Sequence, residues 1–439
     1  MPGSSSAGAA RRTEATPIAL RWPRWRNHRL AWTIFLIGAL LPLIDLWRWW
    51  SFHSHDKKGY YGERADWSAA FGGAIDFSCY VFRDRNRNGV LDLGDEPMAS
   101  VAVEMTAPDG KRTVERSNLS GFVNFPMSAA KRSVVIRRPG TYVFRVIVPP
   151  GWVVTSGNAS QSTRFVARAG APADLVAANP TSPVGLAPEL FIAGRIAARG
   201  TDGGFAPASR AALSVVDRSG VRSVAAIGEG AAFRIPAAPG LWMLNVDGNG
   251  TGLRVERRVM VRDAPVQVGA IVLGDPDGRA AAEAPRASVT VDFESVTGTP
   301  VAKIPSGFAG LGWNYLNAIE VVYAGGVGYV NTLASGHYVG YSSSGHPVSI
   351  FRPGGFDFIG AYFGAALPEA EGETLRIEAF RAGVAVAEDE FKLSDLGPVW
   401  FDAGYRNVDR VVFTTLHYWQ FATDDMEFGI PSLSLPANR

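Results

Sequence analysis

Beyond residue 72 the apolar residues recur at every second position in short runs, and Gly, Pro, Asn and Asp separate the runs. "GAIDFSCYVF", "GTYVFRVIVPPGW", "GAAFRIPAAPGLWMLNVDG" and "TLRIEAFRAGVAVAEDEFKL" are examples. A period of two predicts half-buried strands, and the breakers predict tight turns. One stretch has a different pattern. Leu30–Trp50, "LAWTIFLIGALLPLIDLWRWW", is almost continuously apolar over 21 residues. As a helix it is roughly 30 Å long, enough for a bilayer core. The pattern therefore predicts an all-β chain behind a single N-terminal transmembrane helix. At 439 residues it needs several cores.

Charge orients the helix. Residues 1–29 carry Arg11, Arg12, Arg21, Arg24, Arg26 and Arg29 against Glu14, a net +5 in a chain of net +2. Arginines on this flank put it in the cytoplasm, and tryptophans at both ends (Trp22, Trp25, Trp32; Trp47, Trp49, Trp50) read as interface anchors. Pro42 and Asp45 lie inside the span; Asp45 sits near the exit end, three residues before Arg48. No small-residue cleavage site follows closely, so the segment reads as a signal anchor in the inner (plasma) membrane. Residues 1–29 are then a disordered cytoplasmic tail, 51–70 a polar stalk, and the bulk of the chain periplasmic or extracellular. His53 and His55 lack further ligands and read as solvated. The mildly acidic remainder offers no footprint for nucleic acid. Cys79 is the single cysteine, so no intrachain disulfide supports the fold, which relies on packing or metal.

Metal is suggested by "FRDRNRNGVLDLGDEP", residues 82–97. Asp84, Asn86 and Asn88 alternate, Gly89 permits a sharp turn, the Val90 carbonyl comes seventh, and Asp92 and Asp95 stand ninth and twelfth. This is the order of an oxygen-ligand calcium loop with Asp for the usual Glu at its end; Glu96 could compensate. Strand-like runs flank the loop, so it joins two strands and is no EF-hand. Residues 72–126, with "GAIDFSCYVFRDRNRNGVLDLGDEP", "ASVAVEM" and "SNLSGFVNF", resemble the SdrD/Cna-B-like B-type repeat of bacterial surface adhesins. The resemblance implies an immunoglobulin-like or prealbumin-like sandwich over residues 71–180. It also implies structural Ca²⁺ on Asp84, Asn86, Asn88, Asp92 and Asp95.

Residues 190–274 repeat the strand design without the loop, and their order resembles the carboxypeptidase-regulatory-like sandwich. Residues 275–287, "DPDGRAAAEAPRA", read as a linker. Residues 288–437 turn aromatic and predict a jelly roll of about eight strands. Their "DFE", "FDF" and closing Asp424-Asp425 resemble galactose-binding-like, carbohydrate-binding-module-like domains, which implies a second Ca²⁺ on Glu294, Asp424 and Asp425. Glycan sites stack sugar faces on aromatics. Trp313, Tyr315, Tyr338 and Tyr341, in Gly/Ser/Asn-rich stretches, and Trp419 in "LHYWQF", which reads either way, are the candidates from a wider set that includes Trp400, Tyr405 and Tyr418. His337, His346 and His417 follow no zinc spacing.

The chain contains no G-x-S-x-G and no phosphate-binding glycine loop, and Glu378, Glu388 and Glu390 read as solvent-facing strand residues. The leading expectation is therefore a non-catalytic, membrane-anchored envelope protein that binds polysaccharide. It would be an accessory to polysaccharide synthesis, export or envelope attachment. Alternatives are an adhesive surface protein with a protein partner, and a polysaccharide lyase or hydrolase using facing carboxylates.

Overall fold

The structure, a computed structural model, describes residues 75–431 apart from 128–134, 169–170, 201–203, 275–285, 297 and 325. The expected membrane span, tail and stalk lie outside these residues, as does most of the expected linker. Among the described residues no helix is long and apolar enough to cross a membrane.

The first sandwich contains β1 (Ile75–Arg83), β2 (Glu96–Pro97), β3 (Ala102–Thr106), β4 (Arg112–Arg116), β5 (Phe122–Met127), β6 (Gly140–Val146), β7 (Trp152–Val154), β8 (Ser160–Arg168), β9 (Ala171–Ala177) and β10 (Val184–Pro188). One sheet runs β2-β1-β10-β7 with β5 also on β1; the other runs β4-β3-β6-β8-β9. Alternation decides what is inside: in β6, Tyr142, Phe144 and Val146 are buried and the residues between them face out. Together with Phe77, Val81, Phe125 and Phe165 they form the core. This sandwich extends past residue 180, because β10 pairs in parallel with β1.

The second sandwich packs β11 (Phe191–Arg199), β12 (Phe205–Pro207), β15 (Ala232–Pro236), β18 (Val266–Val268) and β19 (Ile271–Leu273) against β13 (Ala212–Val216), β14 (Arg222–Ala225), β16 (Gly240–Asp247) and β17 (Arg254–Val261). It is not a separate bead. β18 pairs in parallel with the jelly-roll strand β28 (Val399–Thr415), so one sheet continues from sandwich to jelly roll. Arg257, buried on β17, ion-pairs with Asp402 at 2.6 Å and donates to the Gly269 carbonyl. Asp389 accepts from the Ala270 amide at 2.7 Å and the Tyr405 hydroxyl at 2.6 Å.

The third unit, the one expected to be a jelly roll, adds β20 (Arg286–Val291), β21 (Val301–Lys303), β22 (Gly312–Asn314), β23 (Leu316–Glu320), β24 (Tyr338–Ser342), β25 (Val348–Ala365), β26 (Thr374–Arg381), β27 (Val384–Lys392) and β29 (Phe421–Pro431), with a short helix α1 (Val327–Thr332). β25 and β28 are long because each serves both layers. They bend together at Pro353-Gly354-Gly355, where the ladder register shifts. Gly354 and Gly355 take the positive φ (+87° and +78°) that the corner demands. Buried Asp357 holds the corner, accepting from Asn407 N and Arg406 Nη1, each at 2.8 Å. The core is a continuous aromatic stack in which Phe358 touches Phe401, Tyr405, Phe413 and Phe428.

The segment after α1 joins all three units. Arg83 of β1 donates to the Asn331 and Leu333 carbonyls at 3.0 and 2.9 Å. Arg85 donates to the Ala334 carbonyl and ion-pairs with Asp263 of the second sandwich at 2.5 Å. Buried Asn331 accepts from Ala99 N and donates to the carbonyls of Ala99 and Asp395. Asn331→Ala strips three buried backbone groups of their partner, and each unpaired group costs about 1–3 kcal/mol. We expect the urea-unfolding free energy to fall by about 2–4 kcal/mol; a loss under about 1 kcal/mol would mean that water takes over these bonds.

Candidate functional site

In the jelly roll, five connections cross between the two layers, and all of them fall at the end opposite the corner. β22 passes to β23 at Tyr315, β24 to β25 through Ser343–Pro347, β25 to β26 through Ala366–Glu373, β27 to β28 through Leu393–Pro398, and β28 to β29 through Leu416–Gln420. These loops bond one another: Ser343 N to the Tyr315 carbonyl, Ala366 N to Gln420 O, Gly372 N to Leu393 O. The crossings are tight. Tyr315, Ser344 and Tyr418 are forced to left-handed φ values of +59°, +51° and +61°. Left-handed non-glycine residues occur elsewhere too, among them Arg87 in the loop after β1 and Asn407 at the corner. Gly345 (φ +70°) sits against the Tyr418 backbone, where a Cβ would overlap the carbonyl.

This end presents an aromatic rim. Tyr315, Tyr418 and Trp419 are 56%, 70% and 38% exposed, beside exposed Leu416. Tyr315 lies tilted on the His346 ring with centroids 4.8 Å apart. Beneath the rim, buried Glu373 accepts from the His417 amide at 3.2 Å and lies 3.1 Å from its Nδ1.

Of the five aromatics singled out from sequence, Tyr315 and Trp419 stand on this rim. Trp313 is in the core, edge-on to Phe428, its indole N–H donating to Phe308 O. Tyr338, at the other end of β24, is half-buried and donates to Thr299 O. Tyr341 is half-buried, edge-on to Tyr329. Tyr418, one of the wider set of aromatics, and His346, read as a loop polar, also stand here; the αL turns that expose them are not written in strand alternation.

The calcium-type loop closes on itself. Asp84 is fully buried, its two oxygens accepting from Asn88 N and Gly89 N at 3.2 and 2.7 Å. Asn86 and Asn88 oxygens accept from the amides two residues on, and both side-chain amides donate to Asp92. Asp95 accepts from Arg85 N and Asp92 N. Gly89 (φ +79°) must be glycine, since a Cβ would come within 2.8 Å of Thr155 O. Burial raises the Asp95 pKa, and the charges of Asp84 and Asp92 add to it. Glu96 is on β2 opposite Arg83; burial raises it while Arg83, Arg85 and His337 pull it down. The donor set is all oxygen, as Ca²⁺ requires. Among the described residues, however, no three His, Cys, Asp or Glu side chains stand in a metal-holding group. As placed, the Asp84 and Asp95 oxygens serve the loop's own amides.

The second acidic set acts on backbone as well. Glu294 Oε1 accepts from His337 N and Tyr338 N at 2.5 and 2.7 Å. Asp424 accepts from Ala334 N, Ser335 N and Asp425 N, and Asp425 from the Ser335 hydroxyl. Burial, then the Asp425 charge, pushes Asp424 well above the carboxylate range. Of the strand acids, half-buried Glu378 and exposed Glu388 ion-pair with Arg376 at 3.2 and 3.0 Å.

One carboxyl pair was invisible in the sequence. Asp395 is buried, its amide donating to Glu371 Oε2 at 2.7 Å. Burial, then the Glu371 carboxyl, pushes Asp395 up to about 7.

No protein-family model matches the chain, and no curated protein does. Among solved structures, the minor pilin GBS52 of Streptococcus agalactiae aligns at 10% identity and TM-score 0.18, covering 45% of this chain and 94% of that one. The shaft pilin spaA of Lactobacillus rhamnosus GG aligns at 10% and 0.19, covering 46% and 98%. CBM51-2 in complex with GlcNAc and INT domains from Clostridium perfringens ZmpB aligns at 10% and 0.20, covering 45% of this chain and 38% of that chain. At TM-scores this low the likenesses support no conclusion about this chain.

The Asp395 pair sets a pH dependence. An unfolded Asp titrates near 4, so between about pH 4 and 7 the folded chain holds the extra proton. Stability from this group is full below that window and lost as pH rises through it. The urea midpoint should therefore fall from pH 5 to pH 8, with a flatter profile in Asp395→Asn; an unchanged slope in that variant would assign the dependence to other groups.

Proposed function

We propose that this protein is a non-catalytic extracytoplasmic binding protein, anchored by Leu30–Trp50, that holds glycan on the aromatic rim of its jelly roll. It would serve as an accessory to polysaccharide synthesis, export or envelope attachment. The observation that carries the reading is the rim: Tyr315, Tyr418 and Trp419 exposed at one loop end, on backbone held in strained αL turns. Flat rings of this kind stack on the apolar faces of sugars at little entropic cost, because they are already ordered. The anchor is supported by sequence alone, through its apolar length, arginine flank and tryptophan belts.

We expect the full chain to bind one polysaccharide class on a glycan array. Tyr418→Ala and Trp419→Ala should each weaken binding about tenfold or more with unfolding unchanged. Gly345→Ala should also weaken binding, by displacing the Tyr418 turn, and should lower stability as well. A folded chain that binds no glycan would turn the reading towards a protein partner.

Ca²⁺ in the 84–95 loop is part of the same proposal, as a structural ion. It is supported by the spacing of Asp84, Asn86, Asn88, Asp92 and Asp95 and by the crowding of the three carboxylates. A bound cation would offset that crowding and fix the loop against Thr155. Chelator should lower the Tm of the wild type and leave Asp84→Asn unaffected; equal melting with and without chelator would remove the ion from the reading.

A further inference from the structure

At one end of the first sandwich, the β3–β4 hairpin and the segment leading into β6 border a cleft of about 300 Å³. Among the described residues its walls include Pro108, Lys111, Val135, Arg137, Arg138 and Pro139. The backbone of both walls is held. Ala107 N donates to Lys111 O and Gly110 N to Ala107 O, which closes the hairpin. Pro108 packs on Gly140, where a Cβ would come within 2.6 Å of its ring. On the other wall Ile136 is in the core, and the Val135 and Ile136 amides donate to Pro126 O. The Tyr142 hydroxyl donates to Arg138 O at 3.1 Å.

The charge of the cleft is one-sided. Lys111, Arg137 and Arg138 line it against one carboxylate, Asp109, a net of +2. Asp109 Oδ1 accepts from Lys111 N as part of the turn. Lys111 and Arg138 are exposed and Arg137 is half-buried. Among the described residues none of these three side chains has a hydrogen bond or ion pair, so their donors are open. The neighbouring stretch 128–134, "SAAKRSV", contains no acid that could neutralise them. A cleft lined by one sign of charge with apolar walls focuses its field and concentrates counter-ions.

From this arrangement we infer that the cleft is a binding site for a phosphate monoester, held by Arg137, Arg138 and Lys111. Charge decides between anions. A phosphate monoester carries about −1.5 to −2 at pH 7 and offers three acceptor oxygens. That matches a net +2 spread over three donor side chains, whereas a single carboxylate leaves half of the charge unmet. Guanidinium groups pair with phosphate in bidentate fashion, and lysine binds it as a point charge. The volume is at the lower end of the roughly 300–1,000 Å³ of small-molecule sites. It leaves room for about one ring against Pro108, Val135 and Pro139, as in a sugar phosphate. The phosphate could belong to a free sugar phosphate or to the phosphorylated end of a glycan. The site is on a different sandwich from the aromatic rim and stands or falls without it.

The test is calorimetric titration of the full chain with glucose 6-phosphate, with glucose, sodium glucuronate and sodium chloride as controls, and then with an oligosaccharide ending in mannose 6-phosphate. Glucose 6-phosphate should saturate, glucose should not, and glucuronate should bind more weakly. Lys111→Gln and Arg138→Gln, at exposed positions, should each weaken binding about tenfold without lowering Tm. Arg258→Gln, an exposed cation on the second sandwich, and Trp419→Ala should leave it unchanged. Saturation by the free sugar phosphate alone assigns a free ligand; saturation by the oligosaccharide assigns a chain end. Absence of saturation with either would overturn the site. So would glucuronate binding as tightly as the phosphate, indifference to both cleft variants, or an equal loss in Arg258→Gln, which would mean attraction by overall charge alone.

Discussion

A stretch of irregular backbone inside a protein must have its amides and carbonyls bonded, and residues 331–338 meet that demand with side chains from every direction. Arg83 and Arg85 reach in from the first sandwich to the carbonyls of Asn331, Leu333 and Ala334. Asp424 takes the amides of Ala334 and Ser335, and Glu294 those of His337 and Tyr338. Arg85 also ties in the second sandwich through Asp263. The charged groups lie in a partly desolvated place, where each is costly alone and stable only as a set. The mutual position of the sandwiches follows from that requirement, reinforced by the β18–β28 ladder.

Such a junction changes what the chain can do. Beads on a string would sample many orientations; here the first sandwich is bonded directly to the jelly roll. The corner of β25 and β28 turns both layers back on themselves, so every layer crossing is gathered at one end. Loops so short and so bonded present their aromatic rings in fixed positions, and the cost of ordering a binding surface is met during folding. The same junction buries Arg83 beside an open cleft lined by all three units, something no single sandwich could make.

Much of the fold was legible in the sequence. "GTYVFRV" reads as an alternating strand and forms one, β6, with Tyr142, Phe144 and Val146 on its buried face. The third unit reads as all-β, and it folds as strands throughout apart from one short helix and a few single turns of 3-10 helix. Two structural features escaped. The "PVQV" run at 265–268 looks like a terminal strand of its own sandwich, yet it also pairs with β28, because an exposed strand edge will accept any partner brought to it. Trp313, in a Gly/Asn-rich stretch, looks like a surface ring, yet β22 lies against β25 and turns the ring inward onto Phe428.

The opening of the calcium-type loop shows where the division lies. In "RDRNRNG" the chain alternates two sets. Asp84, Asn86 and Asn88 carry the order of a metal loop, and Gly89 its sharp turn; these are local facts, set by spacing and φ, and sequence alone determines them. Arg83, Arg85 and Arg87 occupy the positions between. Nothing near them in the chain says what they bond, and their partners prove to be Asn331, Leu333, Asp263, Ala334 and Pro188. Those residues lie up to 250 positions away. Which carbonyl a buried guanidinium finds depends on how whole sheets pack, and only the tertiary structure decides that.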